Sequence, residues 1–202
     1  EFHQRSVILA VNLADGSIIW EKTVNEERPH ESAHVTGSWA SNSPVTDGEY
    51  VIASFGSRGI YCLDIDGELA WKKDLGDMKV KHGHGEGSSP ALHGDTVVIN
   101  WDHEGDSFAV ALDRHTGKEI WRAARDEVSS WSTPLIIEEA GRPQAVIAAT
   151  TRIRSYDLAT GKVIWECGGL SNNVVASPVA ADGFLYAASS YEFQSMFAIR
   201  LK

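Results

Sequence analysis

The sequence predicts an all-β fold, a β-propeller of four-stranded antiparallel blades, from two repeats that run through the whole chain. One short phrase recurs four times, with a glycine four residues before its final tryptophan; the four tryptophans are Trp20, Trp71, Trp121 and Trp165. Out of phase with it, a hydroxyl residue followed by proline recurs at Ser43-Pro44, Ser89-Pro90, Thr133-Pro134 and Ser177-Pro178. A period of about 40–50 residues made of short apolar segments is typical of propeller blades.

The third repeat shows how each blade divides into four short strands, a to d. We place strands a, b, c and d at 90–92, 96–101, 108–112 and 118–122. Gly94 and Gly117 lie in the a–b and c–d turns, where glycine supplies the positive φ that hairpins need. Asp113 precedes the c–d turn, where its carboxylate can accept turn N–H groups.

The b segments (YVIAS, TVVIN, AVIAA and FLYAA) are apolar almost without interruption. A strand with one face in water would alternate apolar and polar residues, so a continuous apolar run predicts that both faces are covered. Sheets stacked face to face satisfy that condition. No window of a dozen residues has a clear 3.6-residue period, so we expect essentially no helix.

The repeats also predict how the chain is divided. We expect strands c and d of one blade within 7–24, complete blades at about 41–76, 88–125 and 131–167, and strands a, b and c of a further blade at 177–201. The chain is then about half of an eight-bladed ring, or a small ring closed by its own ends. Because uncovered blade faces expose apolar surface, we expect pairing with a second chain or a longer parent protein.

Composition narrows the classes of partner. The 202 residues carry a formal charge of −10, which disfavours nucleic acid and anionic membranes as partners because both are polyanions. No apolar run approaches the roughly 18 residues of a membrane span, and the first residues show no signal-peptide pattern. Cys62 and Cys167 are too few for a disulfide framework or a four-cysteine zinc site, so we expect two small buried side chains.

The d–a and b–c loops, which share one end of the sheets, are rich in polar and aromatic residues, and we expect function there. The candidate ligand-binding residues are His34, Trp39, Asn42, Arg58, Trp131, Arg152, Arg154 and Asn172. The three arginines, assigned to b–c loops, would suit an anionic ligand or a quinone. The alternative is that they pair with Asp102, Glu104 or Glu31 across blades. The two tryptophans, assigned to equivalent d–a positions, would stack on a flat ligand such as a sugar, or else pack between blades.

A possible metal site lies in the same loops. His82, His84 and Glu86 alternate with glycines, and Asp102 and His103 lie in the next b–c loop. Imidazole and carboxylate suit zinc or another divalent metal; the alternative is a hydrogen-bonded loop. The sequence contains neither a G-x-S-x-G elbow nor a phosphate-binding P-loop, and no nucleophile with its base stands out.

The phrases LDRHTGKEIW and YDLATGKVIW resemble the repeat of the PQQ-like propellers, and the resemblance covers nearly the whole chain. That superfamily includes eight-bladed quinoprotein dehydrogenases and assembly lipoproteins of the BamB type, and the chain resembles one bacterial branch of it. The resemblance implies a propeller, a periplasmic or extracellular location, and PQQ as the cofactor. The chain departs from the dehydrogenases in having no Cys-Cys pair, and their catalytic aspartate and calcium ligands cannot be placed on it.

Three functional hypotheses follow. The first is a scaffold that binds a protein, or a small anionic or aromatic ligand, and that self-associates to complete a ring. The alternative is an oxidoreductase that uses PQQ and a divalent metal. The second alternative is a metal-dependent hydrolase or lyase on the loop-rich face, which requires His82, His84 and Glu86 to hold the metal.

Overall fold

The structure, a computed structural model, describes residues 3–201, and within them it is built from antiparallel sheets. A hairpin of β1 (Gln4–Val11) and β2 (Ile18–Glu27) comes first. Three four-stranded sheets follow. One consists of β3 (Val45–Thr46), β4 (Tyr50–Ser54), β5 (Ile60–Asp64) and β6 (Leu69–Lys73), and the next of β7 (Ala91–His93), β8 (Thr96–Trp101), β9 (Phe108–Asp113) and β10 (Glu119–Ala124). The third consists of β11 (Leu135–Glu139), β12 (Arg142–Ala148), β13 (Ile153–Asp157) and β14 (Val163–Cys167). The last sheet has β15 (Val179–Ala181), β16 (Phe184–Ser189) and β17 (Ser195–Arg200).

Each strand pairs with the next one along the chain, so every sheet is a simple meander. The predicted class, an all-β propeller of four-stranded antiparallel blades, is confirmed. Helix is limited, in the described part of the chain, to the single 3-10 turns Gly56–Arg58 and Lys81–Gly83. Neither turn has the length or the apolar character of a membrane-spanning helix.

Apolar cores lie between successive sheets and account for the continuous apolar strands. In β8, Val97 and Ile99 pack toward the preceding sheet, whereas Val98 packs toward the following one. All three are almost completely buried. Cys62, also fully buried, packs in the same core as an unpaired thiol. The sheets therefore have no water-facing side in the middle of the chain, as the sequence predicts.

The recurring tryptophan and glycine meet between sheets. The indole N–H of Trp71 donates to the Arg114 carbonyl of the next c–d turn at 2.6 Å, and its ring lies over Gly117. A Cβ on Gly117 would be 2.7 Å from that ring, so only glycine fits. Trp20 lies over Gly67 and Trp121 over Gly161 in the same way. Each pair fixes the angle between two blades.

The hydroxyl–proline anchors form a second series of bonds between sheets. The backbone N–H of Ser43 donates to Ser89 Oγ at 2.9 Å, that of Ser89 to Thr133 Oγ1 at 3.2 Å, and that of Thr133 to Ser177 Oγ at 2.9 Å. These residues precede the first strands of their sheets, which lie closest to one another. The hydroxyl repeat thus holds the inner strands together.

The first hairpin and the last sheet each leave one face uncovered. Leu9 and Val11 of β1 are 50% and 47% exposed, whereas Val110 and Leu112, which occupy the same positions in β9, are fully buried. Met196 of β17 is 72% exposed. The described chain is therefore an arc of a propeller whose two end faces are apolar and open.

Candidate functional site

The d–a and b–c connections lie at one end of the sheets because every sheet is a meander. The d–a connections are residues 28–44, 74–90, 125–134 and 168–178, and the b–c connections are 55–59, 102–107, 149–152 and 190–194. The d–a connections are much longer than the turns at the opposite end, whereas the b–c connections are of similar length to those turns. This loop-rich face carries most of the predicted site residues.

Asp102, a predicted metal ligand, is bound by an arginine instead. Both side chains of the Arg125–Asp102 pair are fully buried, and Arg125 Nε and Nη2 donate to the two carboxylate oxygens at 2.7 and 2.9 Å. Ser130 also donates to Asp102, and Arg125 donates to the Tyr156 hydroxyl. Burial alone would lower the pKa of Arg125, but the Asp102 carboxylate outweighs it and the pKa is raised.

A second buried carboxylate, Glu127, holds the next b–c loop. It accepts the backbone N–H groups of Thr151 and Arg152 at 2.7 and 3.1 Å, and Arg154 Nη1 donates to it at 3.1 Å. Burial raises the pKa of Glu127, against the lowering effect of the Thr151 N–H. The carboxylate therefore stabilises the conformation of the b–c loop at residues 149–152.

The three arginines predicted to attract an anion are already paired. Arg58 donates to Glu27 at 2.7 Å and to Asp77 at 2.6 Å. The assignment of Arg154 to a b–c loop is wrong: it lies in strand β13, because that strand begins one residue earlier at Ile153. The remaining ion pairs join Arg154 to Glu166 and Asp126, and Arg152 to Asp126 and Glu166. The alternative of pairing with carboxylates therefore holds, although the partners are not those expected.

Glu86, another predicted metal ligand, is bound by the b–c loop at residues 55–59. Its carboxylate accepts the backbone N–H of Ser57 at 2.6 Å and the Ser57 hydroxyl, and it occupies the space that a side chain on Gly56 would take. His30 Nε2 lies 3.7 Å away. Burial raises the pKa of Glu86, partly offset by the two Ser57 hydrogen bonds. Glu86 thus fastens one loop to another.

The five predicted metal ligands do not converge. The rings of His82 and His84 are 5.4 Å apart, and that of His34 is 5.1 Å from His84. His103 is buried and its Nδ1 accepts the Lys79 N–H at 3.1 Å. Residues 3–201 contain no group of three or more His, Cys, Asp or Glu side chains arranged to hold a metal ion. The hydrolase or lyase hypothesis therefore gains no support.

Three further candidates form hydrogen bonds with loop residues: Trp39 within its own d–a connection, and Asn42 and Asn172 with other loops. Trp39 Nε1 donates to the Glu31 carbonyl at 2.9 Å, and Asn42 Nδ2 to the Ser88 carbonyl at 2.7 Å. Asn172 Nδ2 donates to Glu192 at 2.6 Å. Trp39 and Trp131 are not equivalent in the repeat: Trp131 stands two positions before Thr133, whereas the residue two positions before Ser43 is Ser41. The two tryptophans accordingly line different cavities.

A groove of about 800 Å³ remains open beside these loops. His34, His84 and Trp131, all predicted site residues, line it together with Asn173 and Tyr191. The Trp131 indole N–H donates to the Gly85 carbonyl at 2.7 Å, and its ring lies 6.3 Å from that of His84. Sequence reasoning did not single out Asn173, and it missed the hydroxyls of Thr133 and Ser177 as lining residues because their place in the repeat indicates only a structural role.

The residues present do not fit PQQ. PQQ carries three carboxylates and needs cationic partners, whereas Arg58, Arg152 and Arg154 are each paired with carboxylates of this chain. The groove lining contains no Asp, Glu, Lys or Arg. The groove on the loop-rich face thus lacks the Lys and Arg side chains that this cofactor requires.

Comparison with known proteins places the chain among propellers. The family model described as "Outer membrane protein assembly factor BamB" matches residues 4–201. BamB from Moraxella catarrhalis is 20% identical with a TM-score of 0.63, covering 98% of this chain and 61% of that one. Quinohemoprotein alcohol dehydrogenase from Comamonas testosteroni is 13% identical with a TM-score of 0.67, covering 96% and 38%. The computationally designed Ika4 protein is 15% identical with a TM-score of 0.51, covering 85% and 99%.

The similarities to solved structures are at 20% sequence identity or less, and they show that the chains share a fold. The chain spans less than two thirds of the length of the BamB and dehydrogenase structures. No curated protein matches the sequence. What the neighbours share with this chain is the propeller architecture.

Proposed function

The chain belongs to the family of BamB-like propellers of the PQQ type, and from this premise we propose that it is a non-catalytic scaffold that binds protein surfaces through its uncovered end sheets. Fold alone does not decide function, since one propeller architecture serves many activities. The proposal rests on the exposure of apolar side chains in the first hairpin.

The supporting observation is the exposure of Leu9 and Val11. Every equivalent pair in the interior sheets is covered by the preceding sheet; Val110 and Leu112 are fully buried. Burying the exposed half of one such side chain stabilises an association by about 1 kcal/mol. The exposed Leu9, Val11 and Met196 favour the binding of another sheet to the two end faces. A second copy of this chain can provide that sheet.

The family description supports the same direction. An assembly factor for outer membrane proteins works by contacting proteins, and its description favours a periplasmic location for this chain. The oxidoreductase alternative requires cations on the loop-rich face, and the paired arginines disfavour it. The scaffold function therefore agrees with both the open sheets and the closed ion pairs.

The test is the mass of the full chain in solution by light scattering. We expect a species of twice the chain mass at high concentration, formed through the end sheets. The double variant Leu9→Asp/Val11→Asp should remain monomeric, because two carboxylates on that face cannot be buried without partners. Ile120→Asp, on an exposed position of an interior sheet, is the matched control and should associate like the parent.

A monomer at every concentration would contradict the proposal. Association that the Leu9→Asp/Val11→Asp variant does not weaken would also contradict it, since the contact would then lie elsewhere.

A further inference from the structure

The groove on the loop-rich face has an unusual lining for so charged a chain. Asp, Glu, Lys and Arg make up 23% of the sequence, so a lining of fourteen residues would hold about three of them; the groove has none. An ionised ligand would lose water there and find no Asp, Glu, Lys or Arg side chain to pair with, and burying an unpaired charge costs several kcal/mol in general. The lining therefore selects an uncharged ligand.

Three hydroxyl groups of the lining have a proton to donate. Thr133 Oγ1, Ser177 Oγ and Ser189 Oγ each accept a backbone N–H, at 3.2, 2.9 and 2.7 Å. None of the three donates to another residue in the described part of the chain. The side-chain amide of Asn173, also in the lining, makes no hydrogen bond within residues 3–201. The groove thus presents three O–H donors and an amide that both donates and accepts.

Aromatic surface lies beside these polar groups. Trp131 is held in place at both ends: its indole N–H donates to the Gly85 carbonyl and its backbone N–H to the Val174 carbonyl at 2.8 Å. Tyr191, on the neighbouring b–c loop, is 63% exposed. A fixed indole offers an apolar face at little entropic cost, and polar groups around it set the orientation of a ligand.

We propose that this groove binds a neutral carbohydrate, a short oligosaccharide without ionised groups. Sugar rings have an apolar C–H face that packs on an indole such as Trp131. Their hydroxyls both donate and accept, and so match Thr133, Ser177, Ser189 and Asn173. The volume of about 800 Å³ lies within the usual range of ligand sites. Ser189 of the lining lies in β16 of the last sheet, but the lining does not include the exposed Leu9, Val11 or Met196 of the two end faces. The proposal goes beyond the scaffold function.

The experiment is a titration of the full chain with maltohexaose, cellohexaose and chitohexaose, followed by calorimetry and tryptophan fluorescence. We expect saturable binding of at least one of them with a Kd of about 1 mM or tighter. Trp131→Ala should weaken that binding at least about tenfold, the loss expected when an aromatic platform is removed. Trp39→Ala is the matched control and should bind like the parent, because Trp39 does not line the groove.

A second variant guards against misfolding of Trp131→Ala. Tyr191 is largely exposed, so Tyr191→Ala should fold normally and still weaken binding several-fold. Absence of binding of all three sugars to the folded chain would overturn the proposal. So would tighter binding of polygalacturonate or chitosan, since both are charged, or unchanged affinity in both variants. These results are independent of the mass measurement that tests the scaffold function.

Discussion

The two ends of the sheets are built in opposite ways. At the turn end, the same arrangement of an indole over a glycine, such as Trp71 over Gly117, joins each pair of successive sheets from the first hairpin to the sheet of β11–β14. At the loop-rich end, each connection has its own polar contact: Glu86 with Ser57 in one, Arg125 with Asp102 in the next. The repeated indole–glycine contacts set how successive sheets pack, whereas the loop-rich end, whose contacts differ from loop to loop, contains the open groove.

The largest expected effect is at the loop-rich end. Asp102→Ala leaves Arg125 buried without its counter-charge, and breaking such a pair from one side costs about 3–5 kcal/mol. Chemical denaturation of the variant would measure it. Asp66→Ala, which removes an exposed carboxylate at the turn end, should change the free energy of unfolding by less than about 0.5 kcal/mol. If Asp102→Ala unfolds as the parent does, the individual contacts do not hold the loops.

Two glycines separate backbone strain from packing at the turn end. Gly16 and Gly117 both have positive φ, 75° and 67°, but Gly16 has no atom near its Cβ position, whereas Gly117 has Trp71. We expect Gly16→Ala to cost about 1–2 kcal/mol from strain. Gly117→Ala should cost about 1–3 kcal/mol more, because the methyl group overpacks the interface. Equal unfolding free energies for the two variants would show that the indole does not hold the blades.

Acid should weaken both ends together. The hydrogen bond from Arg152 holds the pKa of Asp126 at about 2. Partial burial acts to raise the pKa of Asp47, but the N–H groups of Tyr50 and Glu49 outweigh it and lower that pKa to about 2. Because both folded-state values lie below the ordinary 3.8, their stabilisation is complete above about pH 4 and is lost as the pH falls toward 2.

Urea midpoints between pH 5 and pH 2 measure that loss. The double variant Asp47→Asn/Asp126→Asn should start less stable and lose less as the pH falls. An identical pH dependence in parent and variant would assign the acid sensitivity to other carboxylates.

The repeat made the fold predictable because its residues act between neighbouring sheets. The spacing of Trp71 and Gly117 and the hydroxyl of Ser89 each specify one contact that recurs, so strand order and blade class follow from the sequence. Strand ends were less predictable. Strand β2 continues to Glu27 because β1 begins at Gln4 and pairs with it along its whole length.

The site was predictable only in part. The structure places two loop residues chosen from the sequence, His84 and Trp131, in the lining of the groove. Their binding of a ligand stays a prediction. The partners of Asp102 and Arg58 could not be predicted, because an ion pair depends on how loops that are distant in the sequence lie side by side. Arg125 lies 23 residues from Asp102, and the sequence period does not specify that distance.

The central claim is that Arg58, Arg152 and Arg154 of the loop-rich face are paired with carboxylates of this chain and therefore do not hold a quinone cofactor. The most direct test is a titration of the full chain with PQQ and Ca²⁺, followed by visible absorbance and dye reduction with an alcohol as substrate. We expect no saturable PQQ binding and no reduction of the dye. Stoichiometric PQQ binding with Ca²⁺-dependent dye reduction would contradict the account and assign the chain to the oxidoreductases.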